Sequence, residues 1–89
     1  MIKSPAELSL AAKTLGGVPI WGVLPGTAAA RAGVRYGDIV MRVNGIETRT
    51  LEDFIAAREA SDGRVVFDVF REGELLRLNV HLATGGTLS

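Results

Sequence analysis

Residues 23–45, VLPGTAAARAGVRYGDIVMRVNG, constrain the fold of this chain more than any other stretch. Pro25-Gly26 ends a strand, because Pro has no backbone N–H to give and Gly accepts positive φ. Thr27 supplies the side-chain oxygen that caps a helix N-terminus. Ala28 to Ala32 form a short, slim helix, and Gly33 stops it in the left-handed conformation. Gly37-Asp38 turns the chain into Ile39-Val40-Met41-Arg42-Val43, an apolar strand. Asn44-Gly45 then closes a tight turn of the hairpin kind. The predicted order is strand, turn, mini-helix, turn, strand, turn.

Eighty-nine residues suit one small domain, with a modest core that removes about two-thirds of the unfolded surface from water. The domain is expected over 1–83, with a small, polar tail over 84–89. Ten basic and ten acidic residues cancel. That balance argues against a nucleic-acid partner, which selects a basic face, and gives no electrostatic attraction to an anionic membrane. No apolar run approaches the ~20 residues that span a bilayer, so no membrane insertion is expected. The chain has no cysteine and one histidine, His81. Cysteine-based metal sites and disulfides are therefore excluded, and no metal or cofactor is expected.

Nothing points to catalysis. His81 alternates with apolar residues on a predicted strand and should face solvent. No serine stands in a nucleophile-elbow context, and neither a Walker loop nor a G-x-G-x-x-G is present.

Elsewhere the periodicity is clear. A strand is expected over 18–24, with Pro19 marking an edge or a bulge. A strand stub follows at 46–48. Thr50 caps a helix over 50–60, with Asp53 in the acidic slot of a capping box, and Leu51, Phe54, Ile55 and Arg58 share one side of it. Residues 65–71 form a strand, 72–74 a hairpin turn, and Leu76, Leu78, Val80 and Leu82 alternate along the last strand. Residues 4–15 carry two signals. Ser4-Pro5-Ala6-Glu7 reads as a capping box with Pro at the first helical position, and Leu8, Ala12 and Leu15 fall on one helical face. Against that, Leu8 and Leu10 alternate with Glu7 and Ser9, as in a strand with one buried face. The expected architecture is α+β: a small, partly open barrel or sandwich of five to six antiparallel strands with two helices.

The run PGTAAARAGVRYGDIVMRVNG closely resembles the PGSPAxxAGLxxGDxIxxVNG signature of PDZ domains, above all the PDZ modules of bacterial envelope proteases. The resemblance implies a module that binds an extended peptide, or the C-terminal tail of a protein, by β-augmentation. The partner's strand adds to a sheet edge and lies between it and the longer helix. The resemblance favours a strand over 6–11 as that edge. It implies peptide contacts at Pro5, Ala6, Glu7, Leu8, Ser9 and Leu10, and at Leu51, Ile55 and Arg58 on the helix. Leu51 stands where many PDZ domains carry a histidine, which implies an apolar preference at that peptide position.

The family's carboxylate-binding loop aligns with Pro5-Ala6-Glu7-Leu8, where Glu7 replaces a glycine and adds a negative charge. Lys3 is the matching candidate for contact with a peptide carboxylate. If 4–15 is helical instead, the groove strand lies upstream of it. The resemblance also implies an attached protease domain and a cell-envelope location for the parent protein. The rival reading is a docking or self-association domain that engages a folded partner through the edge strand or Trp21, leaving the groove empty.

Overall fold

The structure is a computed structural model that describes residues 4–81. Lys3 and the tail expected over 84–89 lie outside the described residues. The chain runs α1 (Pro5–Leu15), β1 (Val18–Pro19), α2 (Ala28–Ala32), β2 (Ile39–Val43), β3 (Ile46–Glu47), α3 (Leu51–Glu59), β4 (Arg64–Arg71) and β5 (Glu74–His81). All pairings are antiparallel in one open sheet ordered β1-β2-β4-β5, with β3 paired to β2. The expected α+β class and strand count hold.

The strand expected over 6–11 is corrected: this segment is α1. The Ser4 hydroxyl accepts from the Glu7 amide at 3.2 Å, and the Glu7 carboxylate accepts from the Ser4 amide at 3.0 Å. Gly16 closes the helix at φ 75°, and the amides of Gly16 and Gly17 both donate to the Ala12 carbonyl. These caps satisfy helix-end groups that a strand would leave to other partners. Leu8 and Ala12, four residues apart, are buried together against Ile39, with Ala11, Met41 and Phe70 packed around them.

Neighbouring residues on β2 point to opposite faces of the sheet. Ile39 therefore serves the α1 side, and Val40 serves the main core with Val65, Phe67, Val69 and Val80. Helices α2 and α3 cover that second face through Ala28 and Ala57. The sheet is thus covered on both sides, with three helices among the described residues rather than the expected two.

Close approach of backbones explains one glycine. A Cβ on Gly17 would lie 2.6 Å from Ile39 Cγ2 and 2.9 Å from the Val40 carbonyl oxygen, so α1 can enter β1 beside β2 only through glycine. The register slips between Val40 and Arg42. There the fully buried Thr48 donates its hydroxyl to the Val40 carbonyl at 3.0 Å, and its amide to the Met41 carbonyl.

The strand expected over 18–24 is shorter than its apolar run. Regular pairing covers Val18 and Pro19, and the Ile20 amide still donates to the Asp38 carbonyl while its carbonyl accepts from Gly37. Pro19 and Gly22 interrupt the ladder chemistry that would carry it further.

Candidate functional site

The residues downstream of β1 form one wall of an apolar groove. Its volume is about 370 Å³. Ile20, Val23 and Leu24 line one side, Phe54 and Arg58 of α3 the other, and Phe67 lies at its floor. The α2 end of the groove is fixed by capping: the Thr27 hydroxyl accepts from the Ala30 amide and donates to the Leu24 carbonyl at 2.7 Å. Arg31 adds a bond from its guanidinium to the Gly26 carbonyl at 2.7 Å.

Thr50 caps α3: its hydroxyl accepts from the Asp53 amide at 3.1 Å. Ala57 is buried, Phe54 is half-buried, and the Phe54 ring meets Phe67 edge-on with centroids 5.5 Å apart. At 100° per residue, the stripe turns from Ala57 through Phe54 and Arg58 to Leu51 and Ile55. The expected contact face is therefore rotated. Phe54 and Arg58 line the groove, while Leu51 and Ile55, 62% and 39% exposed, stand further round the helix towards solvent. Their exposure also shows that neither is a core residue.

The expected contacts at Pro5, Ala6, Glu7, Leu8, Ser9 and Leu10 rested on an edge strand. In α1 the Glu7 amide is taken by Ser4 Oγ and the Leu8 amide by the Ser4 carbonyl, so these residues offer neither a strand edge nor a cradle of free amides. Leu8 is fully buried beneath the helix.

The backbone edge that does face the groove was missed because the edge was expected at residues 6–11. Ile20 directs its amide and carbonyl at residues 37–38. In an extended continuation, alternate residues point the other way, so Trp21 and Val23 turn their amides and carbonyls outward. Among the described residues, no hydrogen bond engages the backbone of Trp21, Gly22 or Val23. The available signal was Pro19-Ile20-Trp21-Gly22, a Pro and a Gly bracketing apolar residues, which marks an unpaired edge.

Trp21 is 52% exposed and its ring lies 6.5 Å from that of Tyr36, tilted by 56°. His81 is exposed, as its alternation predicts. Among the described residues, no group of three or more His, Cys, Asp or Glu could hold a metal ion, and no helix is long and apolar enough to cross a membrane.

A buried ionic clasp holds the turn beside this edge. Arg71 donates from Nε to Asp38 Oδ1 at 2.8 Å and from Nη2 to Asp38 Oδ2 and the Gly33 carbonyl, each at 2.7 Å. The Arg35 amide also donates to Asp38 Oδ2. The hydrogen bond to Asp38 raises the Arg71 pKa above arginine's ordinary value despite the opposing effect of burial. On β4 and β5, Asp68 pairs with Arg77 directly across the strands at 3.0 Å, an interaction that raises the exposed Arg77 guanidinium in the same direction.

Proteins of known structure share this fold. A protein from Geobacillus thermodenitrificans, solved in solution, is 28% identical over 79% of this chain and 78% of its own, with a TM-score of 0.62. The HtrA3 PDZ domain, bound to a phage-derived ligand of sequence FGRWV, is 20% identical over 93% of this chain and 79% of its own, with a TM-score of 0.70. The HtrA-type protease AlgW, solved with a decapeptide, is 18% identical with a TM-score of 0.67; the match covers 93% of this chain and 26% of the protease. At the last two identities the likeness is one of fold. The PDZ domain family matches residues 20–71, more than half of the sequence, from the open edge through α3 to the arginine of the clasp. The chain belongs to the PDZ domain family.

Proposed function

We propose that this domain captures an extended segment of another protein by strand addition along residues 20–24. The incoming strand bonds to the outward backbone groups of Trp21 and Val23 and lays alternate side chains in the groove facing α3. Main-chain bonds supply affinity that is independent of sequence, and the apolar walls supply choice. The observation that carries this reading is the unpaired backbone of residues 21–23 beside an apolar groove. Leu51 and Ile55 extend the apolar wall for residues of the segment that leave the groove. Two fold neighbours solved with peptides support a peptide as the occupant, and one of them is a protease, which supports a protease domain as the attached unit.

A second reading draws on Trp21 and Tyr36, whose exposed, tilted rings suit docking of a folded partner or a second copy. Titrating the domain with peptide libraries while following backbone amide shifts separates the two. Shifts across 20–24 and 54–58 support strand capture. Shifts confined to Trp21 and Tyr36, or spectra that change on dilution alone, support docking and contradict capture.

A further inference from the structure

Apart from Thr27, whose hydroxyl is engaged by Leu24 and Ala30, the side chains that line the groove are polar at one point. Arg58 is the one charged residue among the described residues that line it. Its side chain is exposed and has no carboxylate partner: the ion pairs among the described residues join Arg49 to Glu47, Arg71 to Asp38 and Arg77 to Asp68. The acidic residues of α3 do not neutralise it. Glu52, Asp53 and Glu59 sit about 100° or more round the helix from Arg58, and Asp53 instead accepts from the Arg49 amide. The groove therefore presents an uncompensated cation beside the half-buried Phe54 ring. A guanidinium is a planar fork of donors that matches a carboxylate two bonds at a time, and its aliphatic stem covers apolar wall while the head stays solvated.

We infer that Arg58 selects the captured segment for a carboxylate set among apolar residues. This rests on the strand-capture reading and names the class of segment it takes. The carboxylate is that of an Asp or Glu side chain within the segment. Such a ligand is anionic at one position and apolar at its neighbours on the same face.

The test is an array of random octapeptides, each synthesised as free acid and as amide, probed with the wild-type domain, with Arg58→Glu and with Arg58→Gln. Arg58 is exposed, so both variants should fold, and their amide spectra verify this. Sequences bound by the wild type should be enriched in Asp or Glu. Replacing that residue by Gln should weaken binding roughly three- to fivefold, the range for a partly solvated ion pair. Arg58→Glu should turn the preference to Lys or Arg, and Arg58→Gln should abolish it. Acid and amide forms of these peptides should bind alike; a preference for the acid form that Arg58→Gln removes would show the chain end to be the source and overturn the side-chain assignment. Peptides that bind with no charge preference, or with one unchanged in Arg58→Glu, overturn the role of Arg58 and leave strand capture standing. An array that none of the three proteins binds contradicts strand capture itself.

Discussion

Arg71 at the end of β4 holds Asp38, just before β2, through two parallel bonds, Nε to Oδ1 at 2.8 Å and Nη2 to Oδ2 at 2.7 Å. Asp38 is 1% exposed. The same guanidinium reaches the carbonyl of Gly33, which ends α2. One side chain thus ties the mini-helix, the turn and two strands, and it fixes residues 37–38, to which Ile20 is bonded. Replacing Arg71 with Met leaves a buried carboxylate without its cation. Because Arg71 itself is partly exposed, the expected loss is about 2–3 kcal/mol, less than the ~3–5 kcal/mol of a fully buried pair that loses one partner. Urea denaturation measures it. With the arginine pKa raised, titration of Arg71 removes its contribution only as pH rises through that raised value, far above neutrality, so stability near neutrality should not change through this guanidinium.

Gly17→Ala tests the packing of α1 on the sheet. The new methyl meets Ile39 and the Val40 carbonyl well inside contact distance, and backbone has little room to give. The expected cost is about 1–3 kcal/mol. A thermal midpoint equal to that of the unmodified domain contradicts the close approach of the 16–18 turn to β2.

Glu7→Gly removes half of a capping box and puts glycine in the first turn of α1. A loss of about 1–2 kcal/mol is expected, with faster amide exchange over 7–12. The opposite result, unchanged stability with tighter binding of free C-termini, would restore a carboxylate loop at residues 5–8.

On α3, position along the stripe decides the outcome. Phe54→Ala should cost about 2–3 kcal/mol, through lost burial and the edge-on contact with Phe67. Leu51→Asp and Ile55→Asp fall on exposed positions and should change stability by no more than about 0.5 kcal/mol, while weakening binding of an extended peptide. Equal stability losses at all three positions would place Leu51 and Ile55 in the core.

Residues 23–45 were legible almost residue by residue, because each step there is local: a cap at Thr27, a stop at Gly33, a turn at Asn44-Gly45. The α3 range and the β4–β5 hairpin were legible for the same reason. Residues 4–15 show how local signals compete. The capping box, the proline at the first helical position and the terminal glycine all pointed to helix. The four-residue alternation and the family's pattern pointed to strand, and the caps prevailed because they satisfy helix-end groups directly. The groove edge was illegible for another reason. A continuous apolar run says that a segment is sheltered, not which of its backbone groups are paired, and that depends on where Ile20 meets residues 37–38. The Arg71–Asp38 clasp joins residues 33 positions apart, a separation beyond any periodicity. The facing of α3 depended on one step of helical phase: Phe54 rather than Leu51 turns towards the floor, because Phe67 waits there.

The most direct measurement is amide hydrogen exchange at Trp21, Gly22 and Val23, with and without a saturating peptide taken from the array. Strand capture predicts that Trp21 and Val23, whose amides point away from the sheet, become strongly protected, while Gly22 between them changes little. Tight binding with Trp21 and Val23 exchanging as fast as in the free domain would contradict it.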